Sequence, residues 1–284
     1  MADTNLPKFQ GKPLIEIPEF IPTINFLEGD FGRAVLDEYR GRTEKDYGNA
    51  SALKVLSYDG IVKGSNPFAV ALVGSIVSQA GLRVATQADL ERALKVKVLP
   101  LQGKYEDTGL VLRSESEPNE YLARNLMHQV KARNPNAKMP AMIPLSGLEL
   151  VADVSSPYKL AFKLKDGCEV FYDSSVLNKD GTFSSEDIDK KTGLPSETSN
   201  KGNRTLYTIN SGLSGLDLYW GLDVYSRCDN LAGSRGDGRV VLVSAEGTAK
   251  NLQEYLTQLQ TDANRKKAEI DAKFKQAREI LLGE

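Results

Sequence analysis

Residues 211–243 of the chain read SGLSGLDLYWGLDVYSRCDNLAGSRGDGRVVLV. Leucine and valine recur at short intervals, and the positions between them hold aspartate, tyrosine, glycine, arginine, cysteine, asparagine and tryptophan. Lysine, glutamate, glutamine and methionine are absent, although lysine and glutamate are abundant on both sides. A surface selected only for solubility would carry some of each, so the gap indicates that a mutational rule filled these positions. We refer to residues 211–243 as the variable segment.

The residue types between the apolar spacers are those of a protein-binding surface. Tyrosine and tryptophan supply rigid contact area, while aspartate, asparagine, serine and arginine supply hydrogen bonds and charge, as in antibody paratopes. Tryptophan, tyrosine and arginine are also the usual hot spots of interfaces. The leucines and valines are expected to anchor the segment to a core while the other positions face outward. The composition therefore favours a binding surface over an ordinary surface loop.

The bulk properties of the chain place limits on its partners. A chain of 284 residues can hold one large domain or two smaller ones. Its formal net charge of -2 gives no electrostatic reason to expect nucleic acid. The longest apolar run, residues 68–77, is too short to span a bilayer, and no signal peptide is visible at the start. We expect no nucleic-acid partner, no membrane span and a cytoplasmic location, with surface display left open.

The chain offers little material for catalysis or metal binding. Its only histidine, His128, has no second histidine, cysteine or paired carboxylate near it in sequence, so a structural or surface role is expected. The two cysteines, Cys168 and Cys228, can pair only if the fold brings their Cα atoms within ~7 Å, and their spacing does not suggest a metal site. We expect no catalytic residue, no metal and no cofactor.

Two glycine-containing loops resemble known ligand loops and are rejected on their residues. Residues 178–187 resemble a calcium loop, but Val176 stands where the first carboxylate ligand is needed. Residues 234–238 are rich in glycine, but they lack the lysine and the following helix of a phosphate loop. Turns are the expected structure for both.

The first hundred residues are predicted to be mainly helical. Prolines at 7, 13, 18 and 22 predict an extended strap at the start. A short helix is predicted over residues 31–39, and a second from Asn66, as cap, to residue 80, ending at Gly81. A capping box at residues 86–89 opens a third, through residue 95.

Beyond residue 101 the pattern becomes mixed, with one helix at residues 118–133. Strands are predicted at residues 109–113, 142–154, 158–164, 204–209 and 239–243. Residues 173–203 are almost wholly polar and are predicted to form one long loop. Residues 240–243 are apolar on both faces, which indicates a central, buried strand. Residues 248–282 follow a helical pattern that favours packing on this chain over a coiled coil.

The variable segment resembles the hypervariable segment of the variable proteins of diversity-generating retroelements, particularly the archaeal kind. In those systems a reverse transcriptase randomises template adenines, mostly in AAC-type codons. These codons become Asp, Tyr, Gly, Arg, Cys, Ser or Asn but never Lys, Glu, Gln or Met. Trp220 departs from the rule, because it requires another adenine-containing codon. Residues 211–213, 231–232 and 238–243 look like the fixed part of such a segment, and residues 110–113 and 142–145 resemble the same group.

The resemblance implies an α+β chain with a C-type lectin-like fold. Its expected parts are a mainly helical N-terminal region (1–100), a C-type lectin-like ligand-binding domain (101–246) and a C-terminal helix (247–284). The last strand, residues 240–243, is expected to lie in the sheet and hold the variable residues on one exposed face. With Gly215 as a further candidate, the implied variable, ligand-binding positions are Asp217, Tyr219, Trp220, Gly221, Asp223, Tyr225, Arg227, Cys228, Asp229, Asn230, Gly233, Arg235, Gly236 and Asp237.

The function that follows from the resemblance is non-enzymatic binding of an unknown ligand, expected to be a protein. Calcium-dependent sugar binding is rejected, because residues 117–119 (Glu-Pro-Asn) precede a helix and no Trp-Asn-Asp motif occurs. One alternative is an enzyme of the sulfatase-activating branch of the same fold, which needs paired cysteines where only Cys168 and Cys228 exist. The other is an assembly protein whose C-terminal helix drives oligomers. The oligomeric state stays open.

Overall fold

The computed structural model of the chain describes residues 24–244 and, before them, the backbone pairing of residues 8–9 with 12–13. The predicted strap lies largely, and the predicted C-terminal helix entirely, outside the described residues. The described part has an α+β fold. Its helices are α1 (Gly29–Tyr47), α2 (Pro67–Val77), α3 (Gln87–Val96) and α4 (Glu120–Arg133). Its strands are β1 (Lys8–Phe9), β2 (Lys12–Pro13), β3 (Ile24–Phe26), β4 (Ser57–Tyr58), β5 (Val62–Lys63), β6 (Leu82–Val84), β7 (Glu106–Leu112), β8 (Ala141–Pro144), β9 (Leu148–Ala152), β10 (Leu160–Leu164), β11 (Gly181–Phe183), β12 (Arg204–Thr208), β13 (Leu213–Leu218), β14 (Val224–Cys228) and β15 (Val241–Ser244).

The main sheet has the strand order β11-β12-β14-β13-β7-β8. All neighbours in it are antiparallel except β12 and β14, which run parallel. A second sheet has the order β3-β15-β6, and β9 pairs with β10 in a separate hairpin. The variable segment therefore supplies two inner strands of the main sheet and the central strand of the second.

The predicted helix starts are confirmed, because both depend on local hydrogen bonds. The Asn66 side chain accepts from the backbone N–H of Ala69 at 2.8 Å, and Pro67 occupies the first helical position of α2. At α3 the side chains and backbones of Thr86 and Asp89 form the reciprocal capping box. A short 3-10 turn extends α2 to Gly81, whose φ of 70° is the left-handed conformation that favours glycine. By contrast, α1 is much longer than predicted.

One hydrophobic core runs through both halves of the described chain. Helix α2 is buried along nearly its whole length, and its Phe68 ring stacks on Phe162 of β10 with centroids 4.8 Å apart. Residues 24–244 belong to a single compact unit. The structure thus has no division at the expected boundary near residue 100, because the helices before it fill the core under the strands after it.

The polar stretch at residues 173–203 is not one long loop. It contains a 3-10 turn at Ser175–Asn178 and strand β11. Three of its few apolar side chains, Leu177, Phe183 and Leu194, are buried against Leu216 and Val224 of the main sheet. We call this side of the sheet its inner face. The stretch covers the inner face, so its sparse apolar residues determine its path.

Strand β15 is central and buried, as predicted, but it does not hold the variable residues. It lies between β3 and β6, with Val241 opposite Phe26 and Leu242 opposite Val84. Its side chains enter the hydrophobic core on both sides, which leaves no exposed face. The expectation that residues 240–243 present the variable positions is therefore wrong, and β13 and β14 take that place. The predicted strand at residues 142–154 is likewise two strands, β8 and β9, separated by a 3-10 turn.

A buried arginine joins the strands of the main sheet from the inner face. The Arg113 guanidinium donates to Thr208 Oγ1 at 2.6 Å and to the Oγ atoms of Ser214 and Ser226 at 2.8 Å. It also donates to the Leu177 carbonyl at 3.0 and 3.1 Å. Burial lowers its pKa to about 10, so it stays charged at neutral pH. All the acceptors named for its N–H groups are hydroxyl or carbonyl oxygens, and none is a carboxylate.

We expect Arg113→Lys to lower the free energy of unfolding by about 3 kcal/mol, because an ammonium cannot reproduce the planar set of donors and leaves buried acceptors unpaired. Urea denaturation of both proteins measures the change. The matched control is Arg124→Lys on α4, where the side chain is exposed and pairs with Glu120 at 3.4 Å. That control should stay within about 0.5 kcal/mol of the parent. Equal losses in the two variants would contradict the role of Arg113.

Candidate ligand-binding surface

Strands β13 and β14 form a hairpin within the variable segment. The turn is closed by Tyr219 N–H, which donates to the Asp223 carbonyl at 2.8 Å, and by Leu222 N–H, which donates to the Tyr219 carbonyl at 2.6 Å. Asp223 Oδ1 also accepts from the Thr205 N–H at 2.6 Å, which attaches the turn to β12. Asp223, predicted to be variable, therefore has a structural contact as well.

Alternation along β14 separates buried residues from partly exposed ones, whereas every residue of β13 is buried. Ser214, Leu216, Val224 and Ser226 are all buried on the inner face, where they contact Arg113 or the apolar cluster. None of these four is a predicted variable position. Residues between them point to the opposite face, which we call the outer face. This separation is the expected result of the period-two geometry of strands.

Four side chains form a row across the outer face. Asp217 of β13 lies opposite Asp107 of β7 on one side and Tyr225 of β14 on the other. Tyr225 in turn lies beside Tyr207 of β12. Directly opposed residues of neighbouring strands share a face of the sheet. The row therefore passes from two carboxylates to two tyrosine rings.

A register shift places Asp107 in this row. The pairing of β7 with β13 shifts between Leu216 and Asp217, so that Thr108 is the additional residue of β7. Its Oγ1 donates to the Leu216 carbonyl at 3.1 Å or the Gln87 amide oxygen at 3.0 Å. Strict alternation from Val111, which is on the inner face, would put Asp107 on the inner face too. A bulge re-aims the residues beyond it, and here it brings Asp107 next to Asp217.

The tyrosine end of the row continues into a group of rings that are half-buried at Tyr207, Tyr219 and Tyr225 and exposed at Trp220. We call Tyr207, Tyr219, Trp220 and Tyr225 the aromatic strip. The ring centroids of Tyr207 and Tyr225 are 5.8 Å apart, those of Tyr225 and Tyr219 5.4 Å, and those of Tyr219 and Trp220 6.1 Å. Trp220, the only tryptophan of the chain, is 49% exposed. These distances are within the range of favourable aromatic pairs.

Sequence reasoning missed Tyr207, which lies before the variable segment. In the structure of β12, buried Arg204, Leu206 and Thr208 alternate with half-buried Thr205 and Tyr207. This alternation indicates that Tyr207 faces outward. Its place in the strip depends on the parallel pairing of β12 with β14, which no local pattern announces.

An arginine lies at the Tyr207 end of the strip. The guanidinium carbon of Arg227 is 5.3 Å from the centre of the Tyr207 ring, and Arg227 forms an ion pair with Asp180. Asp180 Oδ1 also accepts from the Thr208 N–H at 2.7 Å. Asp180 belongs to the stretch at residues 178–187 that resembles a calcium loop, but its two carboxylate oxygens bind Thr208 and Arg227. Among residues 24–244, no cluster of histidine, cysteine, aspartate or glutamate has the arrangement of a metal site.

The loop after β14 is attached to the hairpin turn by two hydrogen bonds. Arg235 donates to the Tyr219 hydroxyl at 3.0 Å, and the Trp220 indole N–H donates to Asp237. Both arginine and aspartate belong to the predicted variable positions, as do their ring partners. The loop and the turn therefore form one continuous surface.

The predicted positions do not all reach this surface. The structure brings together Tyr219, Trp220, Tyr225, Arg227, Arg235 and Asp237, with Asp217 buried beneath them. Asp229, Asn230 and Gly233 lie in the loop near the start of α4, where Asn119 donates to the Asp229 carbonyl at 2.8 Å. Gly221 and Gly236 are exposed but offer only backbone. The further candidate Gly215 is buried opposite Cys228.

Three carboxylates lie buried at the β7 side of the surface. Glu106, Asp107 and Asp217 are 2%, 8% and 5% exposed. Asp107 accepts from Ser65 Oγ at 2.5 Å, whereas both oxygens of Glu106 and Oδ1 of Asp217 have no hydrogen-bond partner in the described structure. Burial raises the pKa of Glu106 to about 8 and that of Asp107 to about 7. Burial, followed by the charge of Asp107, raises the pKa of Asp217 as well.

Neither cysteine has the environment of a reactive thiol. Cys168 and Cys228 are both free. Burial, followed by the charges of Asp107 and Asp217, raises the pKa of Cys228 to about 12. Burial also raises the pKa of Cys168. Nucleophilic cysteines need a lowered pKa, so both thiols are held in the unreactive protonated form. His128 is exposed on α4.

Comparisons of the chain with protein-family models, with curated proteins and with solved structures found no match. Over the part of the chain that the structure describes, no helix has both the length and the apolar character needed to cross a bilayer. The geometry of the outer face is therefore the basis for a functional argument.

The buried carboxylates predict an unusual dependence of stability on pH. Their folded pKa values lie above the unfolded values of about 4, so the folded protein binds more protons between the two. Their contribution to stability is complete below about pH 4 and is lost as the pH rises to about 8. We expect Asp217→Asn to match the parent below about pH 4 and to exceed its unfolding free energy at pH 8 by roughly 1–3 kcal/mol.

Urea denaturation at a series of pH values measures this difference. The neutral amide has nearly the shape of the protonated acid, so the variant isolates the cost of ionisation. Asp166→Asn, at an exposed position, is the matched control and should follow the parent at every pH. Parallel curves for Asp217→Asn and the parent would contradict the prediction, because they would show that the pKa of this carboxyl is not raised in the folded protein.

Proposed function

We propose that this chain is a non-enzymatic, hypervariable ligand-binding protein, diversified by a retroelement, whose partner is another protein. The observation that supports this proposal most directly is the aromatic strip between Arg227 and Arg235 on the outer face. All its members except Tyr207 belong to the positions that the resemblance implies to be variable. Tyrosine, tryptophan and arginine are the side chains that contribute most to protein interfaces.

The division of the hairpin into two faces supports diversification. Buried Ser214 and Ser226 hold Arg113 from the inner face, and Leu216 and Val224 fill the apolar cluster. Substitution of the outward residues leaves these contacts in place. A scaffold that tolerates many sequences on one face needs its stability to come from the other face, because most of the native free energy lies in buried contacts.

The scaffold in this proposal is C-type lectin-like. Its support is the position of the variable hairpin, close to the end of the compact unit, and the strand-helix-strand order that precedes it. Strand β7, helix α4 and strand β8 follow that order, and the covering stretch at residues 173–203 leads back into the sheet.

Cysteine chemistry argues against the sulfatase-activating alternative. That reaction needs a pair of reactive cysteines, whereas the pKa of Cys228 is raised to about 12 and Cys168 is also a free, protonated thiol. The assembly alternative depends on residues 248–284, which lie outside the described structure. A diversified binding surface accounts for both the composition and the outward display of these residues.

Sequencing of clones from one population tests the proposal. We expect differences to concentrate at the predicted variable positions, while Ser214, Leu216, Val224 and Ser226 stay constant because they contact the core. Asp217 and Asp223 should vary less than the exposed positions, since one is buried and the other fixes the hairpin turn. A template copy and a reverse transcriptase gene near this gene would add support. Differences spread uniformly along the gene would contradict diversification.

Alanine substitution tests the binding surface itself, once this sequence variant has a purified protein partner. We expect Trp220→Ala and Tyr225→Ala each to weaken binding by about tenfold or more, the usual effect of removing a central aromatic residue. Isothermal titration measures the affinity. Val154→Ala is the control for an exposed apolar side chain outside the strip, since Val154 is 92% exposed. A partner that binds all three variants like the parent does not use this surface.

A further inference from the structure

The predicted variable positions hold more acidic than basic side chains. They hold four aspartates, at 217, 223, 229 and 237, and two arginines, at 227 and 235. Arg227 is already paired with Asp180 of the covering stretch. Electrostatic complementarity at interfaces therefore favours a cationic group on the partner.

Two of the buried carboxylates lie where such a cation would be received. Asp107 and Asp217 are cross-strand neighbours. Asp217 is only 5% exposed, yet its Oδ1 has no hydrogen-bond partner in the described structure. A buried polar atom without a partner lowers the stability of the folded state, because it has lost its hydrogen bonds to water. Such a cost is the kind of feature that functional sites retain.

Arg235 is placed next to this pair without satisfying it. Its guanidinium donates to the Tyr219 hydroxyl at 3.0 Å, and its charge lowers the pKa of Asp217. Asp217 Oδ1 nevertheless accepts no hydrogen bond. The Arg235 side chain is exposed. A cation that forms hydrogen bonds with the pair can therefore take its place.

Tyrosine rings complete the surroundings of the pair. Tyr225 is the cross-strand neighbour of Asp217, and the Tyr219 ring stacks on Tyr225 at 5.4 Å. Cations bind over the faces of such rings. The contact of Arg227 with Tyr207, one strand further along the row, is a cation–ring pair of the same kind within this protein.

We propose that Asp107 and Asp217, with the rings of Tyr219 and Tyr225, form a site for a lysine or arginine side chain of the protein partner. In the free protein Arg235 occupies the approach to this site, and the partner's cation replaces it. The inference rests on the proposed function and specifies the chemistry of the ligand. It also assigns different roles to two variable positions: residue 217 receives the cation and residue 235 regulates access.

Binding of a cation should be coupled to the loss of a proton. The groups that face Asp217 are Glu106 and Asp107 on β7, Tyr225 and Cys228 on β14, and Arg235 in the loop. Burial raises the pKa of the carboxyls, so the pair holds protons near neutral pH. A bound ammonium favours the ionised pair. Affinity for the cation should therefore increase as the pH rises from 6 to 8.

The test uses Nα-acetyl-lysine amide as the probe and Nα-acetyl-norleucine amide as its uncharged match, at constant ionic strength. Fluorescence of Trp220, the only tryptophan, reports binding beside Tyr219. At pH 7.5 we expect Asp217→Asn to bind the lysine probe about tenfold more weakly, the value of a charge-assisted hydrogen bond. Arg235→Ser should bind it roughly fivefold more tightly, because the competing cation is absent.

Asp166→Asn is the control and should bind the lysine probe as the parent does. Urea denaturation checks that each variant is folded. Equal binding of the lysine and norleucine probes, or no binding of either by the parent and Arg235→Ser, would overturn the proposal. So would unchanged affinity in Asp217→Asn, or unchanged or weaker affinity in Arg235→Ser. Clone sequencing is independent of these results, so failure of the cation site leaves the proposed diversification to its own test.

Discussion

The guanidinium of Arg113 holds together the part of the sheet on which the binding surface is built. It reaches from the end of β7 to hydroxyls on β12, β13 and β14 and to a carbonyl of the covering stretch. A buried charge is costly unless its donors are satisfied, and here neutral oxygens satisfy them. Because these partners all lie on the inner face, the contact is insensitive to what the outer face displays. These stabilising contacts thus lie on the opposite side of the strands from Tyr225 and Arg227, which are predicted to be variable.

Local signals in the sequence predicted the helix starts, but they could not predict how the strands assemble. Asn66 and Thr86 make their capping bonds within three residues, so their neighbours in sequence suffice. The pairing of β14 with β12 cannot be predicted in this way, because it joins strands that are not consecutive in the chain. Tyr207 was missed for that reason.

The carboxylate row shows a second limit of sequence reasoning. The resemblance implied that Asp217 is a variable position but contained no information about its burial. The place of Asp107 depends on the register shift at Thr108, and nothing in the spacing of residues 106–112 announces a bulge. Similarly, residues 173–203 look like a loop because polar residues dominate them. Three apolar side chains are enough to bind that stretch to the inner face, because burial of each contributes roughly 1.5–3 kcal/mol.

The seam between β7 and β13 combines the two demands on this protein. Strand β7 is fully buried along its length, and a buried strand normally carries apolar residues. Its first two residues are instead carboxylates that lack cationic partners at hydrogen-bonding distance in the described structure. Neutral or apolar residues of similar size at these two positions would make the fold more stable, because they remove the desolvation cost of the carboxylates. Asp107 lies opposite Asp217, which in turn lies opposite Tyr225 and is acted on by the charge of Arg235. Part of the desolvation cost therefore falls directly beside the predicted variable positions.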